Sequence, residues 1–337
     1  MAIRLAETTP KPALSSVAVT TTARLHFGFL DPSGRSRHPF GSFGLSLDCP
    51  RTRLTLEPAK TQSVSGPEAS RAARYLETIG KARGVSSAFR LVVEEAIPPH
   101  AGLGSGTQLA LAVGTALAQA HGLSITPLEI AALLGRGARS GIGMATFEAG
   151  GAVLDHGPRD GALPQLAARV PFPPAWRVLL IIDPDAKGLD GARELAAFEA
   201  VPAFPQAEID DLRARIVDAA LPALQTADFA TFCAQVGYLQ DRMGAYFGPL
   251  QGGAYTSPSV AAVLQGLRSE GVTGLGQSSW GPTGFAFAPT EAEGHRLLAA
   301  AQRHAPRSGL RLTLVRGRNH GAEIRTSYAG ESALDRE

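Results

Sequence analysis

Apolar and polar positions alternate from Val17 to Leu25, which predicts a half-buried first strand. Two further strands are read over Phe43 to Asp48 and Arg53 to Glu57, then a helix from Glu68 to Ala82 and a strand from Ala88 to Glu94. From Thr107 to His121 the small and apolar residues Leu109, Leu111, Ala112, Val113, Ala116 and Leu117 cover most of a helical surface, so this helix is expected at the centre of its lobe. Thr126-Pro127 opens a short helix that runs to about Leu134. Gly143 to Asp155 reads as a hairpin broken at Gly150-Gly151.

The Pro-rich joint Pro171-Phe172-Pro173-Pro174 precedes a strong strand pattern from Trp176 to Asp183. Helical patterns follow over Gln206 to Ala223, Asp228 to Phe247 and Ser257 to Ser269. A glycine-rich strand region from Gly274 to Ala288, a helix from Glu291 to His304 and a strand from Leu310 to Arg316 complete the chain. The expected organisation is a flexible leader at 1–16, an N-terminal domain at 17–172 and a C-terminal domain at 173–337, in a mixed α+β fold of two lobes. No solenoid-period repeat or low-complexity tract interrupts it.

Composition narrows the partners. A net charge of +2 over 337 residues, with scattered positive groups, lacks the footprint of a nucleic-acid binder. Lys11, Lys60, Lys81 and Lys187 are the only lysines, so an anion grip falls mostly to arginine. Cys49 and Cys233 show neither zinc nor disulfide spacing, and no run of about 18 apolar residues signals a membrane span, so a cytoplasmic location is expected.

The candidate chemistry centres on Gly102-Leu103-Gly104-Ser105-Gly106-Thr107-Gln108, which joins a strand end to the long helix. Glycine lets the backbone approach an anion closely, and free N–H groups with the helix dipole favour negative charge there. The competing reading is a plain strand-to-helix turn with Ser105 or Thr107 as N-cap. Thr107 stands where a dinucleotide fingerprint needs its third glycine, and the Gly-Lys-Ser/Thr ending of a Walker loop is absent.

This turn resembles the second motif of the galactose, homoserine, mevalonate and phosphomevalonate kinases. Arg24-Leu25-His26-Phe27-Gly28 lies where those kinases carry their first motif, Ser140-Gly141-Ile142-Gly143 resembles their Ser-Gly-Ile/Val-Asp segment, and Gly276 to Gly284 falls near their third. The resemblance implies the GHMP-kinase-like fold, with an N-terminal lobe like domain 2 of ribosomal protein S5 and a ferredoxin-like C-terminal lobe. Yet Gly143 replaces the kinase aspartate, Gly106 replaces the second, magnesium-holding serine, and no carboxylate lies in Ala131 to Gly135. Phosphoryl transfer needs those parts, so a working kinase is disfavoured and kept as the second reading; a non-catalytic phosphate sensor is the third.

Together with Phe147-Glu148-Ala149-Gly150-Gly151 and Gly276-Gln277-Ser278-Ser279-Trp280-Gly281-Pro282, these departures resemble the beta-ribofuranosylaminobenzene 5'-phosphate synthase family. The resemblance implies condensation of p-aminobenzoate with phosphoribosyl pyrophosphate, loss of carbon dioxide and pyrophosphate, magnesium as cofactor, and a place in tetrahydromethanopterin biosynthesis. Arg24, His26, Ser105 and Arg139 are the catalytic candidates. Gly102, Leu103, Gly104, Gly106, Thr107, Gln108, Arg136, Ser140, Gly141, Lys187, Gln277, Ser278, Ser279, Trp280 and Gly281 are the substrate-binding ones. Arg136 and Arg139 are expected on phosphate, Arg24 or His26 on the benzoate carboxylate, and Trp280 beside the ring ahead of Phe27 or Phe29. Glu148, Asp183 and Glu194 are weak metal candidates, and a homodimer is an expectation from the superfamily alone.

Overall fold

The computed structural model describes residues 13–37, 39–188, 191–305 and 309–329, with the side chains of 191–195 outside that description. The first lobe is built on two long strands, β1 (Leu14–Asp31) and β2 (Phe40–Pro58), paired antiparallel. What the alternation pattern divided into two strands, Phe43 to Asp48 and Arg53 to Glu57, is one strand. Its last residues pair with β4 (Phe89–Glu95), while Phe43 to Leu45 pair with β5 (Ala152–Asp155). β3 (Ser63–Ser65) lies parallel to β4 at one edge, and β6 (Leu166–Val170) extends the sheet beyond β5.

Helices α1 (Ala69–Arg83) and α2 (Ser105–His121) cover this sheet. Eleven consecutive residues of α2, Gln108 to Ala118, are buried, as its small-residue pattern requires. Gly114 brings it against α3 (Pro127–Leu133), where an added Cβ would stand 2.4 Å from Ile130. Thr126 and Glu129 form a reciprocal capping box on α3.

Three expectations need correction. The segment read as a hairpin from Gly143 is α4 (Ile142–Glu148), followed by the Gly150-Gly151 turn and β5. Its six consecutive buried residues, Ile142 to Phe147, pack against α2 and both long strands, and that burial overrides the breaker glycines. β1 begins at Leu14, inside the expected leader, and pairs with the last of the described strands; residues 1–12 lie outside the described residues. That last strand, β11 (Glu323–Tyr328), returns to the first lobe, so the division at 173 does not hold for the chain's end.

The second lobe carries an antiparallel sheet in the order β10 (Arg311–Val315), β7 (Arg177–Ile182), β9 (Gly284–Ala288), β8 (Leu275–Gln277). After Arg177, β7 is an unbroken apolar run from Val178 to Ile182 because both its faces are covered. Leu179 and Ile181 meet α9 (Pro258–Ser269) and α10 (Glu291–His304), whereas Val178 and Leu180 face the opposite core. Helices α5 (Gly191–Ala200), α6 (Gln206–Ala214), a π turn at Arg215–Ala220, α7 (Leu221–Thr226) and α8 (Phe229–Gln251) complete the lobe.

One aromatic cluster joins the lobes. Phe27 of β1 packs within 5.1 to 6.3 Å of Phe43, Phe232, Phe285 and Phe287, which come from both lobes. A shared core of this kind holds the cleft between the lobes in a fixed shape. Among the described residues no helix is long and apolar enough to cross a membrane.

Candidate active site

Two bulges in β1, between Thr22 and Arg24 and between His26 and Gly28, bracket the first motif and re-aim its side chains out of simple alternation. Arg24 and His26 thereby border one cleft. Opposite them Gly104, with φ +82°, opens α2 without any side-chain cap, so the first-turn amides of Ser105, Gly106 and Thr107 stay unclaimed by a cap. Neither Ser105 nor Thr107 acts as the N-cap that the plain-turn reading required.

The cleft has two connected parts. The first, about 440 Å³, is bordered by Gly102, the glycine turn, Arg24, Arg71, Arg74, His100, Arg136, Gly188 and Trp280-Gly281. The second, about 370 Å³, is bordered by Arg24, His26, Phe29, Thr107, the loop from Gly135 to Ser140, and Gly143. Ser279, held at φ +58°, lines both parts. Among the described residues five arginines and no carboxylate line this cleft, which concentrates positive potential on any anion that enters.

The turn and the loop after β8 are clasped together. Ser278 donates its hydroxyl to the Gly102 carbonyl at 2.7 Å and accepts the His26 N–H at 3.0 Å. Arg24 Nη1 donates to the same carbonyl at 2.5 Å. Gly102 and Gly281 pack backbone to backbone, where an added Cβ on Gly281 would stand 2.2 Å from the Gly102 nitrogen.

His26 is 2% exposed, and neither ring nitrogen has a hydrogen-bond partner. Burial, reinforced by the charge of Arg24, pushes its pKa down to about 3, so the imidazole is neutral. Beside it lies a slot between Phe29, Met243, Phe247 and Trp280 with about 30 Å³ of space, enough for about one water. The second part of the cleft, about 370 Å³, is much wider than this slot.

Several sequence expectations change. Gln108 is fully buried; its amide donates to the Gly143 carbonyl at 2.8 Å and its oxygen accepts from Thr21, so it ties α2 to α4 and lines neither part of the cleft. Leu103 and Ser278 are likewise enclosed, acting through the backbone and the clasp. Gln277 is 6% exposed and binds the Thr256 N–H. Phe27 belongs to the core. Trp280 is 4% exposed, wedged against Phe247 and Phe198 at 4.3 and 5.6 Å, and borders the first part of the cleft. Lys187 is exposed and lines neither part, although the N–H of neighbouring Gly188 donates to His100.

Arg136 and Arg139 diverge. Arg136 reaches the glycine turn, donating to the Tyr75 hydroxyl, while Arg139 lies over the Phe198 ring at 4.4 Å and borders the second part. Ser140 and Gly141 form a turn fixed by Asp155, whose carboxylate accepts from the N–H groups of Gly141, Ser42 and Gly157. Burial raises Asp155 to about 6. The sequence reading missed Asp155, Arg71 and Arg74, although Arg71 and Arg74 show the same three-residue spacing as Arg136 and Arg139.

The two magnesium candidates with described side chains, Asp183 and Glu148, have separate surroundings. Asp183 accepts from the backbone of Asp185 and Ala186 and from Ser257, Glu148 is half-buried at the end of α4, and the Glu194 side chain lies outside the described residues. Among the described residues no three His, Cys, Asp or Glu side chains could share an ion. A hard divalent cation needs oxygen ligands, so the arginine-lined cleft does not fit a protein-held magnesium.

The family model described as GHMP kinases N terminal domain matches residues 68–151, and that described as GHMP kinases C terminal matches residues 220–307. The chain is 29% identical over 327 residues to the beta-ribofuranosylphenol 5'-phosphate synthase of Methanothermobacter thermautotrophicus, covering 90% of this chain and 97% of the relative. It is also 29% identical over 324 residues to the protein of that name from Archaeoglobus fulgidus, covering 90% of this chain and 98% of the relative. In structure it matches homoserine kinase from Cytophaga hutchinsonii with a TM-score of 0.66 at 15% identity, covering 96% of this chain and all (100%) of that one. On the strength of its two lobes, both family models and these likenesses, the chain belongs to the GHMP kinase superfamily and resembles the beta-ribofuranosyl 5'-phosphate synthases within it.

Proposed function

We propose that the chain is a decarboxylating pentosyltransferase, which moves the 5-phosphoribosyl group of phosphoribosyl pyrophosphate onto a para-substituted benzoate in tetrahydromethanopterin biosynthesis. The single observation that carries this reading is an arginine-lined anion cleft with uncapped helix amides, continuous through Ser279 with a second part bordered by His26 and Phe29. A diphosphate and an aromatic ring thus have adjoining places, with the anomeric carbon between them.

The anomeric C–O bond breaks, and its electron pair leaves on pyrophosphate. Preorganised amides and guanidinium groups stabilise that departing charge. The ring carbon bearing the carboxylate attacks the anomeric carbon, pushed by the para donor, and the new C–C bond forms there. The bond to the carboxylate then breaks, its electron pair restores the aromatic ring, and carbon dioxide leaves. No proton is taken from the attacking carbon, which accounts for Gly143 where kinases keep a base. The neutral His26 and the Arg24 cation border the acceptor, suited to orient its carboxylate before that group departs.

The relatives' name specifies a phenol product, so the donor there is a hydroxyl, whereas the sequence reading took p-aminobenzoate. The chemistry asks only for a para electron donor. Carboxyl-labelled p-hydroxybenzoate and p-aminobenzoate, incubated separately with the protein, are expected to release labelled carbon dioxide only when phosphoribosyl pyrophosphate is present. Folded protein that releases none from either acid rejects the proposal.

A further inference from the structure

We propose that Arg71, Arg74 and Arg136 form a guanidinium clamp for the leaving diphosphate, standing where the kinases place a magnesium-holding serine. The clamp rests on the reading of a diphosphate substrate given above. Its geometry centres on Gly106: an added Cβ there would lie 3.3 Å from Arg136 Nη1 and 3.7 Å from Arg71 Nη1. A Cβ at this position would crowd Arg136 Nη1 by a few tenths of an ångström and meet Arg71 Nη1 at ordinary contact distance, so the absence of a side chain at Gly106 leaves room for both cations to approach the turn.

Arg136 and Arg71 are each positioned by something other than the ligand. Arg136 donates Nη2 to the Tyr75 hydroxyl and packs 5.6 Å from that ring's centre, which leaves Nη1 toward the turn. Arg71 pairs with Glu68 at 3.1 Å through Nη2, and a guanidinium carries five donors, so the ion pair orients it without using it up. Arg74, one helical turn along the same face of α1, is exposed at the mouth. Three planar forks around uncapped helix amides match the many oxygens of a diphosphate better than the fewer of a monophosphate. With no carboxylate lining the cleft among the described residues, the positive charge on the diphosphate comes from the chain, and any divalent ion arrives on the substrate.

Calorimetric titration of the full chain with inorganic pyrophosphate and inorganic phosphate, in chelator and again in magnesium, tests this. Pyrophosphate is expected to bind in chelator, and R71A and R74A each to weaken it about tenfold while affecting monophosphate less. R71K, which keeps the charge and the Glu68 pair, is expected to weaken it as well because the planar fork is lost. G106S is expected to behave like R136A, with an unchanged circular dichroism spectrum showing that both remain folded. Pyrophosphate binding that requires magnesium, or wild-type affinity in R71A and R74A, overturns the clamp. If label release succeeds while those variants bind pyrophosphate normally, the clamp alone falls; if the clamp binds but no label is released, the proposed reaction falls instead.

Discussion

Ser278 and Gly102, from opposite lobes of the cleft, are joined by a hydrogen bond of 2.7 Å from hydroxyl to carbonyl. Ser278 is fully buried, so S278A leaves the buried His26 N–H without its hydroxyl partner and removes one of two donors to the Gly102 carbonyl, at a cost of about 1–3 kcal/mol. Urea unfolding is expected to show that loss together with a raised KM for phosphoribosyl pyrophosphate, because the glycine turn is no longer pinned. An unchanged midpoint and KM contradict the clasp.

Gly143 cannot regain the kinase aspartate. An added Cβ would stand 2.9 Å from the Thr107 methyl, and the residue lies inside the buried helix α4. G143D is therefore expected to cost at least about 1–3 kcal/mol by overpacking alone and to create no phosphoryl transfer to any hydroxyl acceptor. Gain of ATP-dependent phosphorylation in this variant would refute the argument.

His26 has two buried ring nitrogens without partners, so replacing it removes no protein hydrogen bond from the side chain. H26L is expected to keep stability within about 1 kcal/mol of wild type while lowering kcat by an order of magnitude or more. Because burial holds the wild-type pKa at about 3, the His26 imidazole adds no inflection to the rate between pH 5 and 8. An inflection in that range that H26L abolishes speaks against a neutral ring.

Asp155 titrates at about 6 in the fold, against 3.8 for its ordinary value, because burial disfavours the charged form. The folded chain thus holds this proton more tightly than the unfolded chain. The resulting contribution, about 3 kcal/mol, is complete below pH 4 and is lost as pH rises through 6. The difference in unfolding free energy between wild type and D155N is expected to fall across that interval. A difference that stays flat from pH 4 to 7 removes Asp155 as its source.

Much of the architecture was legible along the chain. The small-residue pattern of Leu109 to Leu117 marked the central helix, Thr126-Pro127 its neighbour, and the run from Trp176 to Asp183 the buried strand β7. These features depend on periodicity and local capping, which are written in consecutive residues. Segment 142–148 was misread because Gly143 and the following glycine pair look like breakers, and only its burial against α2 and the long strands makes a helix the better state. The return of β11 to β1 had no local signal, since pairing partners 300 residues apart are chosen by the assembled sheet.

The site divides in the same way. By itself the sequence determined the glycine turn, the Arg24-to-Gly28 motif and the loss of the kinase aspartate and serine, because residue type alone dictates where a backbone can approach an anion and where a base is missing. Only the tertiary structure decided that Gln108 and Phe27 are interior, that Arg71 meets Arg136 at Gly106 with Arg74 lining the same cleft, and that Asp155 holds the Ser140 turn. Charge clusters and buried partners are made by elements distant in sequence, and packing brings them together where spacing along the chain carries no record of it.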